Sequence, residues 1–196
     1  MDYTSIYNRL YNTNLITGKY CCFMPPKEST ICALCHARGR GCCRLAADGP
    51  DSMFGLTKAE IKTMAKASGA APEEFVVADR ARAGVIAAAE ALHPALARTL
   101  NHGRRLRLKV DAGGACHFLG PGGCRLPRRA RPLFCRMYPV FVAPQGELTL
   151  MGDEACLAQG QAAGPREVLA RLGQSEKELR GLHARLLRLS AAHALE

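Results

Sequence analysis

Apolar residues recur at helical spacing in several stretches of this chain and alternate with charge in another, and most stretches carry their own start or stop signals. Thr57-Lys58-Ala59-Glu60 reads as a capping box: the threonine oxygen accepts a free backbone N–H while the glutamate reaches back to the cap. The helix it opens runs to about Ser68, with Ile61, Met64 and Ala65 on one face and Gly69 as terminator. Pro72-Glu73-Glu74-Phe75 has the proline and early acids of another helix start, and the alanine-rich run from Arg80 to Ala91 is helical by propensity until Pro94 breaks or restarts it. Near the C-terminus, Ser175-Glu176-Lys177-Glu178 is a second capping box, and Leu179, Leu182, Leu186 and Leu189 form one leucine face suited to a core or a dimer contact.

The strand signals are shorter. Leu106, Leu108 and Val110 alternate with charged neighbours and lead through Gly113-Gly114 into Cys116. Gly120-Pro121-Gly122-Gly123 is a turn between Cys116 and Cys124, predicting a hairpin whose two arms each present a sulfur. Gln145-Gly146 turns into a further short strand over Glu147 to Met151.

These elements predict an α+β fold, mainly helical, with a small β-hairpin and cysteine-rich loops knit around metal. An irregular N-terminal arm over 1–29, a cysteine-cluster domain over 30–160 and an amphipathic helix packing on it within 161–196 are the expected organisation. At 196 residues and 48% apolar composition the chain can bury a core without disulfides. The first residues lack the basic start and apolar run of a secretory signal, and no stretch has the roughly 18 to 20 apolar residues of a membrane span. A cytoplasmic, membrane-free protein is expected, and a reducing compartment favours thiolate–metal ligation over disulfides.

Of ten cysteines, eight fall into two groups: Cys32, Cys35, Cys42 and Cys43, then Cys116, Cys124, Cys135 and Cys156. The C-x2-C at Cys32 and Cys35 is common to zinc, iron–sulfur and redox sites. The adjacent pair Cys42-Cys43 narrows the choice, because neighbouring side chains in an extended chain point apart and suit two sites, or two irons of one cluster. The second group is spaced too widely for a zinc finger and requires the fold to assemble it. Zinc and an iron–sulfur cluster both fit, with iron slightly favoured. His36 and His117 stand beside cysteines as weaker candidate ligands, and Cys21 and Cys22 fall outside the pattern. Asp48, Asp51, Asp153 and Glu154 have no spacing that marks acid/base catalysis, and read as loop, cap or supporting groups.

A formal charge of +10, with basic residues at Arg104, Arg105, Arg107 and Lys109 and again from Arg125 to Arg136, raises nucleic acid as a partner. Thiolates change that sum, since each four-thiolate site carries a net charge of about −2 once metal displaces the thiol protons. Arginines beside the cysteines are then expected to support sulfur-rich sites, and no RNA-binding aromatic signature or helix-turn-helix pattern accompanies them.

The joint pattern resembles the YkgJ-type cysteine-cluster proteins, described as zinc- or iron-chelating domains and related to the flagellin lysine N-methylases. The resemblance runs from Cys32-x2-Cys35 and Cys42-Cys43-Arg44 through Phe54-Gly55-Leu56-Thr57 to Cys116-His117-Phe118-Leu119 and Cys124. It is strongest at Arg131-Pro132-Leu133-Phe134-Cys135-Arg136-Met137-Tyr138-Pro139, which looks like that family's R-P-x2-C-R-x-[FY]-P signature, and Cys156 supplies the last expected cysteine. The resemblance implies metal chelation by these cysteines, and an iron–sulfur cluster in the methylase members. Arg131 and Arg136 are then expected to hold the loop through carbonyls or carboxylates, or to donate to sulfur.

The functional expectation is a metal-binding protein holding zinc or an iron–sulfur cluster through eight cysteines, with a redox, metal-handling or modification role and a possible protein partner. The alternatives are a protein-lysine methylase-like enzyme, for which no glycine-rich methyl-donor motif is present, and a nucleic-acid or protein adaptor with structural zinc.

Overall fold

The computed structural model describes residues 31–39, 41–44, 55–97, 100, 104–151 and 156–193. The expected arm over 1–29, Cys21, Cys22, Asp48, Asp51, Asp153 and Glu154 lie outside the described residues. The fold is α+β, with helices predominating over three small two-stranded antiparallel sheets among the described residues. No described helix is long and apolar enough to cross a membrane.

In chain order, α1 is Ile31–Ala37, α2 is Lys58–Ser68, and α3 is the single turn Pro72–Phe75, followed directly by strand β1, Val76–Arg80. Helix α4, Ala83–Leu92, and the short α5, Pro94–Ala97, lead to β2, Arg104–Leu108. The tight pair β3, Leu119–Gly120, and β4, Gly123–Cys124, precedes a 3-10 turn at Arg128–Ala130 and α6, Leu133–Met137. Strands β5, Val140–Val142, and β6, Leu148–Leu150, are followed by α7, Pro165–Arg171, and α8, Glu176–His193.

Several expectations shift in detail. The Thr57 capping box forms: Thr57 Oγ1 accepts from Glu60 N at 3.3 Å and Glu60 Oε2 accepts from Thr57 N at 2.9 Å, while Gly69 closes the helix in the left-handed conformation. Pro72 starts only one helical turn, because the β-branched pair Val76-Val77 leaves it at once for β1. The helix expected from Arg80 therefore begins at Ala83, and His93, in extended backbone, separates it from the helix that Pro94 restarts. Strand β2 forms as expected but pairs with β1, Val76 opposite Leu108 and Arg80 opposite Arg104, a pairing that alternation alone did not reveal. The hairpin around Gly120–Gly123 is present with Leu119 opposite Cys124, whereas Cys116 sits ahead of it, in an isolated bridge to Val110.

Charge in β2 is placed differently from the expectation of a free basic cluster. Arg105 is only 2% exposed, and its Nε donates to Asp79 Oδ1 at 2.9 Å across the sheet. Arg107 Nε donates to the other oxygen of the same carboxylate. Burial pushes the Asp79 carboxyl up, but hydrogen bonds and charge from the two arginines outweigh it and hold the group below its ordinary range.

Two apolar clusters organise the described chain. The larger gathers Val85, Ala89, Leu96, Met137, Phe141 and Val168 with Leu179, Leu182 and Leu186 of α8, so the leucine face is core. Residues on both sides of position 160 thus share one cluster. At about 1.5–3 kcal/mol for each fully buried large apolar side chain, this face is a main source of stability for the helical half. The smaller cluster gathers Leu56, Met64, Phe75, Leu108, Phe118 and Leu126 around the β1–β2 sheet. Cys116 belongs to the smaller cluster, Cys43 and Cys124 pack against it and Cys156 packs against the larger, which puts these cysteines at the seam between them.

Candidate metal centre

The two cysteine groups meet through backbone. Cys116 N donates to Cys43 O at 2.8 Å, and Arg44 bridges antiparallel to Ala115, so the Cys42-Cys43 segment lies beside the Cys116 segment although more than seventy residues separate them. All eight cysteines of the two groups line one cavity of about 130 Å³. His36, Arg44 and Arg131 share its wall, with Tyr138 and Pro139, which are joined by a cis peptide.

Each sulfur reaches the cavity by a local device. Cys32 and Cys35 lie three apart on α1, on neighbouring positions of one helical face, where a loop was expected. The chain then turns through Gly41, whose φ of 121° is open to glycine and strained for other residues, and the Arg44 N to Gly41 O bond of 2.9 Å closes the turn that carries Cys42 and Cys43. Cys124 comes from β4. Cys135 is carried by α6, and Glu60 fixes the start of that helix: its Oε1 accepts from Leu133 N at 2.8 Å while Oε2 serves the Thr57 box. Glu60 is buried, 73 residues away from Leu133 in sequence, and sequence reading gave it only a capping role.

Arg131 belongs to the same assembly. Its Nε donates to Leu126 O at 3.0 Å and its Nη2 to Cys124 O at 3.4 Å, which ties the segment after the hairpin to the turn before α6. The expected carbonyl-holding role is thus filled by Arg131. For Arg136 no such bond is present among the described residues, and its buried Nε has no hydrogen-bond partner there. His36 lines the cavity with its Nδ1 buried and likewise without a partner, while His117 lies off the wall, its ring edge-on to Phe118 at 4.9 Å and 6.3 Å from Phe75.

The sulfurs are electrostatically unequal. Cys32, Cys42 and Cys135 have exposed surface that opens on the cavity, yet the enclosing protein desolvates them. Burial pushes the thiols of Cys135 and Cys32 up, and that of Cys116 to about 11; at Cys135 neighbouring sulfurs and Glu60 add to the effect. Cys42 is also raised well above the ordinary thiol, first because it donates a hydrogen bond to Cys43. Cys43 moves the other way, to about 7: the bond from Cys42 favours its thiolate, with help from the Arg131 charge and against burial. The wall therefore carries one thiol poised as thiolate among several held protonated.

The donor chemistry of this wall fits a thiophilic metal, eight sulfurs and an imidazole around a space larger than one ion. Among the described residues, however, no group of three or more His, Cys, Asp or Glu side chains is arranged to hold a metal ion. Comparison with family models, with curated proteins and with solved structures gives no match to this chain.

Proposed function

We propose that this chain is a metal-binding protein whose eight cysteines, Cys32, Cys35, Cys42, Cys43, Cys116, Cys124, Cys135 and Cys156, hold a polynuclear centre, an iron–sulfur cluster in preference to zinc. The observation that carries the reading is that all eight line one cavity at the seam of two apolar clusters. Cys42 and Cys43 both open on that cavity although adjacent in sequence, which suits more than one metal atom better than a single tetrahedral ion. The resemblance to the YkgJ-type proteins points to the same chemistry.

In this reading the thiolates are the ligands, and binding displaces their protons. A poised thiolate at Cys43 lowers the cost of the first ligation, and the Arg131 charge offsets part of the negative charge that accumulates as further sulfurs ionise. Glu60 and Arg131 hold the Cys135 and Cys124 segments in place. Such a cluster supplies one-electron transfer. Ligation by thiolates also fits a reducing, cytoplasmic compartment.

The test is metal and acid-labile sulfide content per chain, with an absorption spectrum, on protein purified without air, alongside Cys43→Ser. Iron with sulfide, reduced in the variant, is the expected result. Zinc without sulfide or colour would redirect the proposal to a structural or metal-handling module, and unchanged metal content in the variant would remove Cys43 from the centre.

A further inference from the structure

We propose that His36 supplies a nitrogen ligand, through Nδ1, to the centre held by the cysteines; the inference rests on the metal reading above and adds a donor of a different kind. Three observations meet at this side chain. His36 lines the cysteine cavity. Its Nδ1 is buried and has no hydrogen-bond partner among the described residues. Helix α1 carries Cys32, Cys35 and His36 at positions i, i+3 and i+4, so one face of one helix presents two sulfurs and a nitrogen together.

The packing of α1 agrees with that orientation. Leu34, on the opposite side of the helix, is 41% exposed, while Cys35 is 6% exposed. Helix α1 packs against β4, the strand that carries Cys124. A Cβ built on Gly41, in the turn that follows α1, would stand 3.7 Å from the Cys35 Sγ. The donor-bearing helix is thus held against both the hairpin and the turn that leads to Cys42 and Cys43. His117, the other histidine beside a cysteine, has no such setting: it lies off the wall with its ring edge-on to Phe118.

A buried ring nitrogen without a partner has given up its hydration for nothing in return, and a metal ion on the cavity side would satisfy it. Imidazole suits both iron and zinc among thiolates. It also binds as a neutral donor, so it completes coordination without adding to the negative charge that thiolates concentrate in one cavity. In an iron–sulfur cluster, imidazole in place of thiolate raises the reduction potential, which gives the ligand a measurable signature apart from metal retention.

The experiment uses the full chain, purified without air and labelled at histidine with a nitrogen isotope. Pulsed electron paramagnetic resonance of the reduced iron-loaded protein reads nitrogen bound to the metal; if zinc is the metal present, imidazole scattering in zinc X-ray absorption reads the same contact. A directly coordinated nitrogen is expected in the wild-type chain and is expected to be lost in His36→Ala. His36→Cys keeps a ligand at this position and covers the case in which His36→Ala fails to load. It is expected to retain metal, to lose the nitrogen signal and, in the iron form, to shift the reduction potential downward. Iron, zinc and sulfide contents of the same samples separate this inference from the reading it rests on. Metal retained with sulfur coordination alone, or a nitrogen signal that persists in both variants, would overturn ligation by His36 and leave the cysteine centre standing. A wild-type chain that binds neither metal would overturn the centre, and this ligand with it.

Discussion

Met137 and Cys135 lie two residues apart on α6 and belong to different regions of the molecule. Met137 is fully buried in the helical cluster, where apolar contact with its neighbours is the whole of its contribution. Cys135 opens on the cavity at the seam, among other thiols and under the influence of a buried carboxylate. The helical cluster is closed by close-packed side chains. The seam is lined by thiols around open space, several of them held protonated by burial, so the two regions are expected to respond differently to the same perturbation.

The strongest way to break that comparison is a pair of substitutions on this one helix. Met137→Ala is expected to lower unfolding free energy by roughly 2–5 kcal/mol, with metal or after chelation alike, since it opens a cavity in apolar packing. Cys135→Ser is expected to lower stability only in the metal-loaded protein and to leave the chelated protein nearly unchanged. Urea unfolding of both variants, with and without chelator, measures the contrast. Equal sensitivity to chelation would show that the two regions are energetically one.

Glu60 links the regions and gives the next largest effect. Glu60→Ala removes the acceptor of both Thr57 N and Leu133 N, and a cost of roughly 1–3 kcal/mol is expected from the buried donors left behind. Metal retention should fall with it, because α6 loses the bond that fixes its first turn. Stability loss with full metal retention would confine Glu60 to capping.

The smallest effect is local to one sulfur. In metal-free protein, alkylation of Cys43 should have a midpoint at about pH 7, against the ordinary thiol value of 9.0, and Cys42→Ala should move it upward by removing the donated hydrogen bond. Because the folded value lies below the ordinary one, Cys43 stabilises the metal-free fold fully above about pH 9, and that contribution is lost as pH falls through about 7. Mass spectrometry of alkylated peptides reads the midpoint, and a value near 9 would remove the poised thiolate.

What the sequence made legible follows the reach of each signal. The Thr57–Glu60 box, the Gly120–Gly123 turn and the leucine periodicity of α8 are local, and each is present in the fold. Strand β1 was hidden because Val76–Arg80 follows a helix start without a turn signal, and its partner β2 lies across an intervening helical segment. The burial of Arg105 was hidden for a similar reason, since only the sheet register brings Asp79 opposite it. At the cavity, residue types and spacing marked the cysteines, while Glu60 offered no signal beyond its cap, because its second partner is 73 residues away. The different surroundings of Arg131 and Arg136, close neighbours in sequence, also emerge only from the fold.

The hydrogen bond from Cys116 to the carbonyl of Cys43 has a consequence for biosynthesis. A chain leaving the ribosome presents Cys32 through Cys43 long before the residues that flank them in the finished cavity, and the last sulfur, at Cys156, emerges only when about four-fifths of the chain has been made. Until then the early cysteines lack the segments that wall the cavity with them in the finished fold. If the cavity holds the proposed centre, its full set of eight sulfurs is available only near the end of synthesis, and a product ending before Cys156 would lack one of them.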